Sequence, residues 1–222
     1  MNNVSKYNRV VIFANGEYNN FEFYRNNINE NDYIIAVDGG SNYTYSMGIV
    51  PHVIVGDLDS IKKEVYENYK YSNTPFVKFP SEKDKSDLEL AIIYAMKRNV
   101  QEILVYGALG KRADHFYANI MVMLEPLNKG VSIFLVDELQ TITVISDKVL
   151  ITGKIGDYIS LFPITPKVTG IYTKGVKYSL EGDPLYIGSS LGLSNEFVDD
   201  EVTIEISDGL LLIIKTKNSD KT

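Results

Sequence analysis

His52-Val53-Ile54-Val55-Gly56-Asp57-Leu58-Asp59-Ser60 is an apolar run that gives way, at a glycine, to two aspartates. The run His52 to Val55 is bounded by Pro51 and Gly56 and reads as a short buried strand. Gly56 lets the backbone turn sharply or lets another group approach it closely. If strand geometry persists beyond it, both carboxylates point to one side, about 7 Å apart at the backbone. Like charges that close repel, and burial raises the cost. A divalent cation removes the conflict, and hard oxygen ligands that leave room for phosphate oxygens suit Mg²⁺. Taken alone, the spacing equally describes a polar turn in which Asp59 or Ser60 caps a helix over 61–69. The choice depends on the surrounding chain.

Working outward, β-branched runs alternate with helix-like stretches. The runs are Arg9–Ala14, Tyr33–Val37, His52–Val55, Phe76–Phe79, Glu102–Tyr106 and Val131–Val136. Leu88, Ala91, Ile92, Ala95 and Met96 repeat at helical spacing, as do Ile120, Met123, Leu124 and Leu127. Such alternation predicts an α/β fold, a mostly parallel, Rossmann-like sheet flanked by helices. Ligands in these folds gather beyond the carboxyl ends of the strands. Those ends carry Asp38-Gly39-Gly40, the aspartate pair, Lys83-Asp84-Lys85-Ser86-Asp87, and Gly107 to His115. One sheet edge therefore holds the polar and glycine-rich segments.

From Lys148 onward the helical period disappears, and short alternating runs are separated by glycine-containing turns. Ile204 to Leu212 reads as a hairpin with a two-residue turn at Asp208-Gly209. The pattern predicts a small all-β sandwich. The expected division is an α/β domain over 1–140 and a β domain over 141–222.

Composition closes off several chemistries. The 222 residues include no cysteine and two histidines, so disulfides, thiol nucleophiles, cysteine-ligated metals and histidine-rich clusters are excluded. A net charge of −7 disfavours nucleic acid and anionic membrane as partners. No apolar run approaches a membrane span, and Val10 to Ala14 is too short for a signal-peptide core, so a cytoplasmic location is expected.

Ser86 and Glu89 fit a capping box at the start of the helix near Leu88. That helix start and its two lysines, Lys83 and Lys85, also suit phosphate. Asp87 is not required for capping, which makes it a candidate third carboxylate beside Asp57 and Asp59. Gly107 to His115 lacks the spacing of a Walker A loop, yet a glycine-rich turn into a helix over 114–128 can cradle phosphate through its amides. Arg112 adds a planar fork that matches phosphate oxygens. The alternative is a tight turn with Asp114 as N-cap and an Arg–Asp surface pair. His115 lacks an identifiable partner as a base and reads as structural or orienting. Asp38-Gly39-Gly40 serves either a nucleotide's close approach or simply the start of a helix.

In this order, Asp38-Gly39-Gly40, Gly56 to Ser60, Lys83 to Asp87, and Gly107 to His115 with Asn119 resemble thiamine pyrophosphokinase. The likeness continues at Gly175-Val176-Lys177-Tyr178-Ser179-Leu180 and at Ser194-Asn195. It implies transfer of a diphosphate from ATP to the hydroxyethyl group of thiamine, with release of AMP. It also implies an α/β catalytic domain that binds ATP and a β domain that binds thiamine. The expected assembly is a homodimer with active sites at the subunit interface. On that likeness Asp57, Asp59 and Asp87 handle Mg²⁺ and the attacking hydroxyl, and Arg112 and Asp114 position the phosphates and the thiamine end. Asp38, Gly39, Gly40, Lys83, Ser86, Arg112 and His115 serve ATP, while Ser194 and Asn195 line the thiamine pocket. Ser86 replaces a frequent threonine and Lys111 a frequent glycine. The chain has no tryptophan, so any aromatic contact falls to Tyr178, Tyr186 or Phe197. Two other readings share parts of the pattern: an inactive nucleotide or thiamine sensor, and a D-x-D metal-dependent nucleotide-sugar transferase.

Overall fold

A computed structural model of the chain describes residue 7 and residues 9–80, 84–110 and 112–218. Lys83 and Lys111 lie outside the described residues. The chain divides into two compact units, 1–138 and 139–222.

The first unit runs β1 (Arg9–Phe13), α1 (Phe21–Asn26), β2 (Asp32–Val37), α2 (Gly40–Ser46), β3 (Val53–Gly56), α3 (Lys63–Tyr71) and β4 (Phe76–Lys78). It continues with α4 (Asp87–Met96), β5 (Glu102–Tyr106), α5 (Ala113–Met121), α6 (Leu124–Asn128) and β6 (Ser132–Val136). The sheet order is β6-β5-β1-β2-β3-β4, and every neighbouring pair is parallel. β2 and β3 are buried along their whole length, as parallel strands covered on both faces must be. On one face Val11, Phe13, Ile34, Leu104 and Tyr106 pack with Tyr24 of α1 and Met47. α4 packs on β1, β2 and β3 through buried Leu88, Ala91, Ile92 and Ala95.

The order places a switch point between β1 and β5. From β1 the chain winds outward to β4, then returns to β5 on the other side of β1. Connections leave the two strands in opposite directions and open a crevice at their carboxyl ends. The strand ends meet there through glycine. A Cβ on Gly16 would lie 2.1 Å from the Gly107 carbonyl oxygen.

Two helix readings change. α3 starts at Lys63 behind Lys62, with neither Asp59 nor Ser60 capping it. Instead Asn42 of α2 accepts the Lys62 N–H at 2.9 Å and donates to the Ser60 carbonyl at 2.9 Å. The helix expected over 114–128 is two helices, α5 and α6, broken around Val122. Pro126 has no N–H to give the Val122 carbonyl, and its ring would crowd that carbonyl in a continuous helix.

The second unit contains β7 (Gln140–Ile145), β8 (Lys148–Thr152), β9 (Tyr158–Pro163), β10 (Lys167–Lys174), β11 (Glu181–Tyr186), β12 (Asn195–Glu196), β13 (Glu201–Glu205) and β14 (Leu211–Thr216). They form two antiparallel arrays, β12-β9-β14-β7 and β11-β10-β13-β8. This is the small β domain expected. The hairpin expected at Asp208-Gly209 is absent, because β13 and β14 belong to different arrays. Asp208 instead bridges Thr169, and the Leu210 N–H donates to the Thr165 hydroxyl at 3.0 Å. Ile206 is 3% exposed and keeps the chain tied to the core as it crosses.

The switch point makes a stability prediction. Gly107 has φ +69°, and a Cβ there would lie 2.4 Å from the Tyr18 hydroxyl and 2.7 Å from the Ala14 carbonyl. Gly107→Ala should therefore lose roughly 2–4 kcal/mol from backbone strain plus overpacking. Urea unfolding should read this as a lower midpoint at unchanged slope.

Candidate active site

The aspartate stretch is organised by its neighbour strand. β2 pairs with β3 so that Val37 faces Val55, which sets Asp38 beside Gly56. The Asp38 N–H donates to the Val55 carbonyl at 2.8 Å. Gly56 has φ +143°, and a Cβ on it would lie 3.0 Å from the Asp38 Cβ. Both the conformation and the spacing call for glycine. Strand geometry then ends. Leu58 has φ +72° and Asp38 has φ +45°, a region that L side chains enter sparingly. The turn folds Asp59 back, and its N–H donates to the Asp57 carboxylate at 3.2 Å. The Ser60 hydroxyl donates to the Asp59 carboxylate at 2.9 Å.

Carboxylate oxygens of Asp38, Asp57 and Asp59 all lie within 4.8 Å of one another. The third member of this group is Asp38, whereas the sequence suggested Asp87. Asp38 is 7% exposed, and burial holds its carboxyl above the usual aspartate range, with the Asp57 charge acting the same way. The Ser60 N–H, at 3.3 Å, pulls in the other direction. Three hard oxygen donors, one of them buried at a cost, could hold a divalent cation.

A cavity of about 590 Å³ opens at the switch point. The segment after β1 contributes Asn15, Gly16 and Glu17, that after β2 contributes Asp38, and that after β5 contributes Gly107, Ala108 and Gly110. Ser86 and Asp87 enter from the start of α4, and Arg112, His115 and Asn119 from α5. Asp38 thus belongs both to the cavity wall and to the carboxylate group. Ser86 caps α4 by accepting the Glu89 N–H at 3.1 Å, while Lys85 pairs with Glu89.

Arg112, rather than Asp114, occupies the cap position of α5. Its guanidinium grips Asp114 through two bonds, at 3.1 and 2.5 Å, and holds that carboxyl down to about 2. Asn119 donates to the Ala108 carbonyl at 2.8 Å and so fixes the glycine-rich turn from the helix side. Gly39 and Gly40 are buried. A Cβ on Gly39 would strike the Asn15 amide, and one on Gly40 the Phe13 carbonyl. Their smallness lets α2 start against the end of β1. The sequence reading missed Asn15 and Glu17, although they follow β1 just as the other segments follow their strands.

In the second unit the Asn195 side chain is occupied within the chain. It accepts the Tyr178 N–H at 3.0 Å and donates to the Tyr178 carbonyl at 2.7 Å. Ser194 adopts φ +58°, and its N–H donates to the Ser160 hydroxyl at 3.0 Å. Phe197 is 1% exposed and belongs to the core, whereas Tyr178 is 65% and Tyr186 52% exposed.

The Asp38 environment yields a signed prediction. An acid whose folded pKa is raised adds stability when protonated and forfeits it as pH rises through that value. Asp38→Asn should therefore raise the thermal midpoint at pH 7 in EDTA, through a stability gain of about 1 kcal/mol or less. The advantage should shrink as pH falls through the raised titration range of wild-type Asp38, where its carboxyl takes up a proton. Saturating Mg²⁺ should reverse the order of the two melts, because only wild type keeps all three charges.

The family described as thiamin pyrophosphokinase, catalytic domain, matches residues 24–135. The family described as thiamin pyrophosphokinase, vitamin B1 binding domain, matches residues 140–211. A thiamine pyrophosphokinase of Bacillus subtilis is 28% identical over 209 residues, covering 93% of this chain and 98% of the relative. A crystal structure of thiamine pyrophosphokinase from Bacillus subtilis superposes with TM-score 0.85 at 27% identity, over 95% of this chain and 99% of that one. That of the thiamin pyrophosphokinase from Geobacillus thermodenitrificans gives TM-score 0.82 at 27% identity, over 95% and 98%.

Proposed function

The chain belongs to the thiamin pyrophosphokinase family, and we propose from that premise that it is a thiamine diphosphokinase working with ATP. The observation that carries the site assignment is Asp38, which joins a three-carboxylate group to the cavity at the switch point. A sensor without activity would not need that costly convergence of charge. A nucleotide-sugar transferase would leave the match to a vitamin B1 binding domain without a purpose.

In this reading the hydroxyl oxygen of thiamine attacks the β-phosphorus of ATP. A new O–P bond forms as the α–β bridging bond breaks, and AMP leaves with the bridging oxygen. Catalysis of this kind is mainly positioning and charge neutralisation. Asp38, Asp57 and Asp59 would hold Mg²⁺, which when bound offsets phosphate charge. Asp87 lines the cavity outside that group and would accept the hydroxyl proton. Arg112 would exchange Asp114 for phosphate oxygens, and the backbone of Gly107 to Gly110 would pack against the phosphates. Ser86 and His115 flank them. Gly39 and Gly40 act by letting Asn15 and β1 seat against α2. In the second unit Asn195 holds Tyr178, which with Ser194 would meet thiamine. Lys83 completes the proposed ATP contacts from outside the described residues. The homodimer with shared sites and the cytoplasmic location follow from the family resemblance and composition. Among the described residues, no helix is long and apolar enough to cross a membrane.

The test is an assay for AMP with ATP, Mg²⁺ and thiamine. Stoichiometric AMP and thiamine diphosphate are expected, and a nucleoside diphosphate product would overturn the reading. Asp59→Asn should fold normally and turn over about 10²-fold more slowly or worse. Arg112→Lys keeps the charge but loses the fork, so its kcat/KM for ATP should fall with little change in thermal midpoint.

A further inference from the structure

Residues 14–20 form a strap that leaves β1 and bends across the crevice. The start of the strap is fixed by the Ala14 N–H, which donates to the Tyr106 carbonyl at 2.9 Å. Its middle is fixed by Tyr18, 8% exposed, whose hydroxyl donates to the Ala14 carbonyl at 2.7 Å. The Tyr18 ring lies 4.4 Å from that of Tyr43 and 6.1 Å from that of Phe13, centroid to centroid. Its far end is held by a residue 118 positions later in the chain. The Glu138 carboxylate accepts the Asn19 N–H at 2.8 Å and the Asn20 N–H at 2.7 Å. Asn20 in turn caps α1 by accepting the Phe23 N–H at 3.1 Å.

The strap's other side lines the cavity through Asn15, Gly16 and Glu17. The Asn15 amide also fills the space over Gly39, next to Asp38. Contacts therefore run from Glu138, through the strap and Asn15, to Gly39, which adjoins Asp38 in the chain. Burial opposes the charge on Glu138, yet the backbone donors around it hold its carboxyl below the usual glutamate range. It stays an anion, and bonds from N–H groups to an anion are the stronger kind.

We propose that Glu138 is a positioning residue for nucleotide binding, holding the 14–20 strap in the shape that presents Asn15 and Glu17 to the cavity. The inference rests on the reading of that cavity as the nucleotide site. In this role Glu138 acts on the cavity through the strap. Loss of its carboxylate frees two N–H groups and the strap with them. Gln at 138 keeps an acceptor oxygen and much of the hold.

The test compares wild type, Glu138→Ala and Glu138→Gln, all well below their thermal midpoints. Calorimetry with ATP and with thiamine, together with amide hydrogen exchange over 15–20, reads the effect without turnover. Glu138→Ala should weaken ATP binding about tenfold, leave thiamine binding within twofold, and speed exchange over 15–20. Glu138→Gln should recover most of the ATP affinity. Steady-state kinetics should place the change in KM for ATP more than in kcat. Equal weakening toward both substrates, unchanged ATP affinity in a merely less stable variant, or no recovery with Gln would each overturn the proposal. A wild type that binds ATP but releases no AMP would overturn the reaction assigned above while the binding comparison still decides Glu138. A wild type that binds no ATP would overturn both.

Discussion

No side chain fits where β1 and β5 part company. Gly16 and Gly107 meet so closely that a single methyl on either would collide with the other strand's connection or with Tyr18. That close approach keeps the two strand ends together while their connections diverge, and the divergence makes the crevice. The polar residues of the site depend on it in turn. Asn15 and Glu17 leave from one strand, and Ala108, Arg112, His115 and Asn119 follow the other. The sheet order supplies the opening, and its flanking glycines let the backbone itself form part of the wall.

Within that frame the site is built from unfavourable parts. Three carboxylates converge, one of them buried. Two residues with side chains, Asp38 and Leu58, adopt φ values suited to glycine. The surrounding structure holds this in place through neutral groups. Asn42 ties down the chain leaving the turn at Ser60 and Lys62, Ser60 donates to Asp38 and Asp59, and Gly56 clears space for Asp38. Strain supported this fully is the mark of a preorganised site. Arg112 follows the same logic in reverse, being already paired with Asp114 through two bonds. An anion that takes its guanidinium must outcompete a bidentate carboxylate, which favours multiply charged phosphate over weak monoanions.

The sheet was legible in the sequence because its central parallel strands are buried on both faces and read as unbroken β-branched runs, and the six runs became six strands. The Ser86 cap was legible because its signal spans only four residues. Asp38 as partner of Asp57 and Asp59 was not, since the convergence depends on the β2–β3 register and on a turn at Leu58. Leu58 looks like any apolar residue until its backbone is seen. Asp208-Gly209 misled for a related reason. The dipeptide does make a tight bend, but whether the flanking strands pair is decided by partners from β7, β8, β9 and β10, far away in sequence. Pro126 was the opposite case. Its signal was local and sufficient, and the apolar period around it concealed the break. Glu138 carries no motif at all, because a carboxylate that binds backbone N–H groups 118 positions away leaves no pattern in the chain.

The place of β14 bears on how the molecule is made. It is the last strand in sequence, yet it sits in the middle of its array, between β9 and β7. Until residues 211–216 have left the ribosome, β7 and β9 have no strand between them, and each presents an open row of backbone donors and acceptors. The first unit has no such debt, since every strand of its sheet is synthesised by residue 136. Vectorial synthesis therefore lets the α/β unit fold while its successor waits with unpaired edges. Shortening the chain before residue 211 would remove a keystone rather than a tail, and the product would be an aggregation-prone half-sandwich attached to a sound α/β unit.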